Sequence, residues 1–346
     1  MANTLPVQDE TVLKQLPLIV KPYQLPNTRK AVFQILNTLT PFLGLWAAIF
    51  FLVDSSIWLA APLFLVNGFF LGRLFILQHD CGHQSFTASR QANYIIGNFL
   101  ALLTCIPFKY WASSHNFHHG HNNLLWKHRD IGDIPTLTVA EFRKINWLYR
   151  ILYMTLRNGF VLFILLPPVY VFFNNRFPLV WLKSFAHARR SLLRSTALLA
   201  AFYALIYLLL GWKGLIIQFA LVWIFGSYAL WFFYVQHQHE STYKQWRDRW
   251  DYVRAAIQGS SFYKLPRVLN WLTGNIGYHH IHHLNPLVPN YELVRCHREN
   301  PILDQLANKL TLWQSFRCLF NKLWDEEQQR MISFREYFRR YERRLA

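Results

Sequence analysis

The chain has 346 residues and is 53% hydrophobic, 17% aromatic and only 16% charged, against roughly 25% charged in an ordinary soluble domain. Gly and Pro are scarce, at 14 and 15 residues, while Phe, Trp and Tyr are abundant, which excludes a disordered or collagen-like chain and argues against a purely cytosolic globule. Its 36 Lys and Arg against 18 Asp and Glu give a formal charge of +18, suited to an anionic surface; the apolar content favours lipid over nucleic acid.

Residues 1 to 30 are polar and mixed in charge and lack the layout of a cleaved signal peptide, so any membrane insertion must use internal helices. Apolar runs follow at about 41–53, 57–77, 94–108, 158–173, 196–211 and 214–235, to be compared with the roughly 20 residues that span a bilayer. The first can extend back to Ala31 and is separated from the second by Asp54, Ser55 and Ser56 alone, a helical hairpin. The last two are separated by Gly211, Trp212, Lys213 and Gly214, a second hairpin. Arg176, Lys183, Arg189, Arg190 and Arg194 lie between the hairpins, and the C-terminal segment is rich in Arg. The positive-inside rule puts both on the cytoplasmic face.

Parity constrains the two middle runs. Both are short, and 158–173 is interrupted by Pro167-Pro168. If each enters the membrane and returns, every polar segment between the hairpins shares the cytoplasmic side, so both are expected to be re-entrant or interfacial and buried against the bundle. Four dispersed cysteines, Cys81, Cys105, Cys296 and Cys318, form no metal or disulfide framework and read as reduced thiols. The fold expected is an all-α integral membrane protein. It has about four transmembrane helices in two hairpins, re-entrant or interfacial segments, and a cytoplasmic helical cap carrying a di-metal site. No linker divides it, so one domain spans 1–346, with a motif-bearing core at about 70–295 and cytoplasmic segments at 1–40 and 296–346.

The histidines carry the chemical signal. Twelve of the fifteen fall in four clusters: His79 and His83; His115, His118, His119 and His121; His237 and His239; His279, His280, His282 and His283. An i, i+4 pair lies on one helical face, and HxxHH gives one imidazole from one turn and two from the next. All four clusters fall on the cytoplasmic side of the topology above. Imidazole suits Fe, Zn, Cu and Ni, and the eight histidines of one HxxxH and two HxxHH boxes exceed the four ligands of a structural zinc. Two metal ions are implied. Outside the boxes, His128, His187 and His297 read as ordinary polar residues, and His121, His239 and His280 as neighbours of the site or surface groups. A histidine-rich metal transporter is the distant alternative; it would place ionisable residues at mid-bilayer, where only Arg73 lies well inside an apolar run.

HDCGHQSF at 79–86, HNFHH at 115–119, GDIPTLTVAEF at 132–142, YVQHQHES at 234–241 and NIGYHHIHHLNPLVPNYEL at 275–293 resemble the membrane-bound fatty acid desaturases with three histidine boxes, most closely the acyl-lipid Δ12/ω-6 branch. The resemblance implies two non-haem irons, O2 as co-substrate and removal of two hydrogens from an acyl chain. Carried onto this chain, the metal-binding and catalytic residues are His79, His83, His115, His118, His119, His279, His282 and His283. One further histidine comes from the segment before the last box. His237, which directly follows the apolar helix, is assigned that role, with His239 as competitor. Asp80, Asp130, Asp133 and Glu240 stand beside the boxes as groups that could orient imidazoles. After the second box the chain departs from the family pattern, reading Gly120-His121-Asn122-Asn123. Related hydroxylases, conjugases and carotenoid-oxidising enzymes use the same centre. No haem, flavin or nicotinamide motif is present, so electrons are expected from a separate donor such as ferredoxin or cytochrome b5.

Overall fold

The computed structural model describes residues 10–173, 176, 177 and 179–342. An N-terminal helix, α1 (Glu10–Val20), precedes two long antiparallel helices, α2 (Thr28–Leu52) and α3 (Ile57–Gly82). The Asn27 and Ser56 side chains cap the latter two by accepting from the Lys30 and Leu59 amides. Both are long and apolar enough to cross a bilayer, as is α9 (Ala186–His237), the long helix in the second half of the chain. Gly211 interrupts α9 with φ +64 and ψ −164, so its halves, 186–210 and 212–237, form the second hairpin expected from the sequence. Asp54 and Lys213 pair where the two hairpin loops meet.

Between the hairpins lie two bent helix pairs. α4 (Arg90–Thr104) and α5 (Phe108–His121) meet at 100°, with Cys105 in the left-handed conformation at the corner. α6 (Val139–Lys144) then leads to α7 (Trp147–Leu156), which meets a helical stretch at Val161–Phe172 at 62°. That stretch begins as a π-turn, Val161–Leu165, and continues as α8 (Leu166–Phe172), which accommodates Pro167 in its first turn. These are the two segments expected to be re-entrant. At the first corner the guanidinium of Arg176, which follows α8, donates to the Cys105 carbonyl.

The helices pack through aromatic and aliphatic side chains, Phe42, Leu71, Leu74, Phe108 and Phe225 among them. A Cβ on Gly72 would overlap the Tyr228 hydroxyl, and one on Gly68 would overlap the Ile224 side chain, so α3 and α9 approach as closely as glycine alone permits. Among the described residues Arg73 has no carboxylate partner, and it serves as a tether. It is buried, donates to Thr38 Oγ1 and the Trp271 carbonyl, and stacks 4.1 Å from the Trp271 ring.

The cap at the histidine-bearing end includes α10 (Tyr252–Ile257), α11 (Arg267–Leu272), α12 (His279–Leu284) and α13 (Asn290–Glu299). It also holds three two-stranded sheets that the all-helical expectation did not include, pairing Leu124–Leu125 with Gln245–Trp246, Ser261–Lys264 with Asn308–Thr311, and Leu323–Asp325 with Arg330–Ile332. The first two are parallel and their partners lie far apart in sequence, a pairing that no local signal announces. Leu13, Leu16 and Val20 of α1 pack with Ile257, Ile281 and Leu284, so the motif-free N-terminal helix braces the last histidine box.

Candidate metal centre

Each histidine reaches the centre from a rigid element. His79 lies in the last turn of α3 and His83 is its C-terminal cap residue; His115, His118 and His119 lie on α5, and His279, His282 and His283 on α12. His237 is the last residue of α9. Ligand nitrogens of His79, His83, His115, His119 and His282 all lie within 4.8 Å of one another, and those of His118, His237 and His283 form a second such group. His279 joins the second: its Nε2 is 2.9 Å from His237 Nε2 and 3.1 Å from His283 Nε2. Both HxxHH boxes are therefore divided between the two groups, with α5 and α12 contributing to each.

The orientation of the imidazoles has identifiable causes. Asp80 Oδ1 lies 2.9 Å from His79 Nδ1, while its Oδ2 accepts from the backbone amide and the side chain of Asn290 at 2.7 and 2.8 Å. Gln34 of α2 in turn holds Asn290. Asp133 Oδ2 lies 3.5 Å from His118 Nδ1. Burial alone would raise this carboxyl, but the His118 contact prevails and holds it below the usual carboxylate range. Gly132 makes that contact possible: it has φ +72, and a Cβ there would come within 2.6 Å of the Ser114 carbonyl, so only glycine lets the GDIP loop lie against α5. Trp111 stacks on His115 with centroids 4.6 Å apart and planes at 17°. Asn290, Gln34 and Trp111 were not singled out from sequence, because an Asn, a Gln or a Trp without metal-ligand spacing carries no local signal.

A nitrogen-only donor set at such separations fits metal ions. His83 Nε2, His118 Nε2, His282 Nε2 and several Nδ1 atoms are buried without a hydrogen-bond partner, an arrangement that costs free energy unless something else satisfies it. Burial, reinforced by neighbouring imidazoles, holds His282 and His283 far below the ordinary histidine range, so both are neutral and keep a lone pair for a cation. Behind the second group Lys244 is also buried, donates to Asn123 Oδ1 at 2.7 Å, and is lowered by that burial to about 8.

An apolar cavity of about 340 Å3 extends from His79, His115 and His279 down between α3, α5, α8 and α9, past Phe75, Phe225 and Phe233. Its volume is within the usual range for a small-molecule site. A family model for fatty acid desaturases matches residues 56–316. The chain belongs to the fatty acid desaturase family. The desaturase is 41% identical, over 93% of its length and 91% of the relative's, to a "Fatty acid desaturase" of Bacillus subtilis. It is 25% identical to an "sn-1 oleoyl-lipid 12-desaturase" of Picosynechococcus, covering 82% of this chain and 79% of that one. It is also 26% identical to an "sn-1 acyl-lipid omega-3 desaturase (ferredoxin)" of Nostoc, covering 84% and 81%. The chain is thus an oxidoreductase of lipid acyl chains and an integral membrane protein, with histidine clusters able to hold metal.

The remaining candidates in this desaturase separate from the two groups. His239 and His280 are buried, with all four ring nitrogens unpartnered, and belong to neither group. His121 Nδ1 donates to the Phe117 carbonyl, and the ring stacks between Phe117 and Trp126. His297 faces Asp304 at 3.4 Å, His128 meets the Trp126 edge and His187 is exposed. Among the four carboxylates, Asp80 and Asp133 contact box imidazoles, Glu240 pairs with Arg330 at 3.3 Å, and Asp130 is exposed. Asn122 and Asn123, where the chain departs from the family pattern, are buried and bond the Ala255 and Gly259 carbonyls. They tie α5 to the cap and leave the histidines untouched.

Proposed function

We propose that the desaturase holds two iron ions, one among His79, His83, His115, His119 and His282, the other among His118, His237, His279 and His283. The observation that carries this reading is the apolar cavity ending on imidazoles of both groups: it brings an acyl chain, and little else, to a redox-capable metal centre. The bound irons would supply O2 activation, so that two hydrogens leave adjacent methylenes and, with two electrons and two protons from outside, O2 becomes two waters. The chain's own residues do the rest. Phe75, Phe225 and Phe233 exclude water from the reacting carbons, Trp111 fixes the plane of His115, and Asp80 and Asp133 hold the His79 and His118 rings in one tautomer.

The substrate in this reading is an acyl chain esterified in membrane lipid, and the position attacked is of the Δ12/ω-6 type. The named specificity of the Picosynechococcus relative supports that regiochemistry. Electrons come from an external carrier, ferredoxin or cytochrome b5, which docks on the basic face; the Nostoc relative is named for ferredoxin. The centre faces the cytoplasm, because the Arg-rich segments lie at its end of the bundle. Expression in a host that lacks polyunsaturated lipids, followed by mapping of new double bonds by mass spectrometry, tests the reading. A diene at the 12 position of oleoyl lipid is the expected product; a hydroxylated product or an unaltered lipid profile would overturn it.

A further inference from the structure

Among the described residues, two rings other than histidines lie against the ligand imidazoles: Trp111 on His79 and His115, and Phe233 on His118 and His237. Both line the apolar cavity, so both lead from the metals toward the substrate. A carrier protein is far too large for a cavity of about 340 Å3. Its electrons must reach the centre by another route. On the cap side of α5, Phe117 and His121 stand four residues apart and share one face of the helix. Asn123, with φ +57, then turns the chain, and the pairing of Leu124–Leu125 with Gln245–Trp246 fixes the approach of the next residue, Trp126. The His121 ring lies 4.2 Å from Phe117 at 21° and 4.8 Å from Trp126 at 11°. Phe117 and Trp126 are 5.9 Å apart at 15°. These are three near-parallel rings in mutual contact.

This stack is bonded to a ligand. His121 Nδ1 donates to the Phe117 carbonyl at 2.9 Å, and that carbonyl belongs to the peptide group that carries His118. The Nε2 of His118 is buried without a hydrogen-bond partner, facing the second group. From the indole to that group the path is one ring contact, one hydrogen bond, and the backbone and side chain of His118. His121 and His118 are three residues apart, about 4.5 Å along the helix axis. Electron tunnelling decays steeply across empty space and more slowly along bonds and hydrogen bonds, so a short connected path is favoured. The inner end is fixed because Phe117 packs with Tyr110, Ile131 and Phe185. At the outer end Trp126 is half-buried and is followed by exposed Lys127. A histidine that donates to a carbonyl one turn back also caps its helix. Capping has no need of the indole, whose Nε1 is buried with no partner and makes no hydrogen bond.

We infer that Trp126, His121 and the Phe117–His118 peptide form the electron-entry relay of the desaturase, leading from a one-electron carrier protein with an iron–sulfur or haem centre to the iron of the second group. In each transfer the carrier loses one electron and one ferric ion becomes ferrous; no covalent bond is made or broken. Two such transfers supply the two electrons that O2 reduction needs beyond the two taken from the acyl chain. The inference rests on the two-iron reading above and adds where electrons enter and which group receives them first.

The test uses the full-length, iron-loaded protein in lipid nanodiscs. All four native cysteines are buried, so Lys127→Cys supplies one exposed thiol beside Trp126, to which a ruthenium polypyridyl photoreductant is attached. A laser flash with ascorbate as sacrificial donor injects electrons, and the loss of ferric absorbance is followed in time, with no acyl substrate present. With the stack intact, a fast phase independent of protein concentration is expected. Trp126→Leu and His121→Leu, each in the labelled background, should slow that phase several-fold or more while iron content and the ferric spectrum stay the same. Trp126→Phe, which keeps a ring in the stack, should retain most of the rate. If both Leu variants keep their iron and the original rate, electrons enter elsewhere and the two-iron reading stands. If they instead lose iron or change the ferric spectrum, the stack is structural and the relay falls. If the labelled protein with the stack intact holds no reducible iron, the relay and the two-iron reading fall together.

Discussion

Replacing Asp80 with Asn tests whether the charge behind His79 holds the first histidine group together. One carboxylate oxygen faces His79 Nδ1 at 2.9 Å and the other accepts two donors from Asn290, all in an environment where Asp80 is 2% exposed. An amide at position 80 has one acceptor. If its oxygen stays with Asn290, its NH2 group faces His79 Nδ1 and drives the proton of that ring to Nε2, the nitrogen a metal needs. Losing one charge-assisted hydrogen bond costs about 1.5–3 kcal/mol, which at about 1.4 kcal/mol per factor of ten is an affinity loss of about 10- to 150-fold. Iron(II) affinity is read by competition against a chelator in the purified protein, with circular dichroism and thermal melting as checks that the helices remain. An Asp80→Asn protein that folds and binds iron with wild-type affinity would refute the reasoning.

Two further outcomes are expected. His237→Ala should lose iron from the second group and with it activity, whereas His239→Ala keeps at least part of its iron, because His237 ends α9 within 2.9 Å of His279 and His239 lies outside both groups; iron analysis of the two variants decides, and the reverse pattern exchanges the assignment. Lys322 is buried where its ammonium donates to the Arg157 carbonyl, and burial followed by the Arg157 charge lowers it from 10.5 to about 7. The folded state thus binds fewer protons than the unfolded state between those values, so the penalty is complete below about pH 7 and disappears as pH rises toward 10.5. Lys322→Met should therefore melt above wild type at pH 6.5, with the gap closing toward pH 10; a gap independent of pH would show that this lysine is not held neutral.

Much of this protein was determined by local chemistry and could be read without coordinates. The length and polarity of the apolar runs specified the two hairpins, because a bilayer imposes a minimum span and leaves no backbone group unpaired. The i, i+4 spacing of His79 and His83 and the two HxxHH runs put imidazoles on one face of a helix, since helical periodicity is a property of neighbouring residues. The position of His237 at the end of an apolar helix was legible in the same way. What only the tertiary structure decided depends on residues far apart in the chain. The division of each HxxHH box between two groups follows from the way α5 and α12 face each other. Among four candidate carboxylates, contact with Asn290, itself held by Gln34, selected Asp80, and a close approach at Gly132 selected Asp133. Arg73 looked like a charge inside an apolar run until the Trp271 ring and carbonyl were found against it. The apolar cavity below the histidines is walled on one side by α8, which packs on Gly226 of α9. A periodicity reports which face of one helix is apolar, while packing decides which other face it meets.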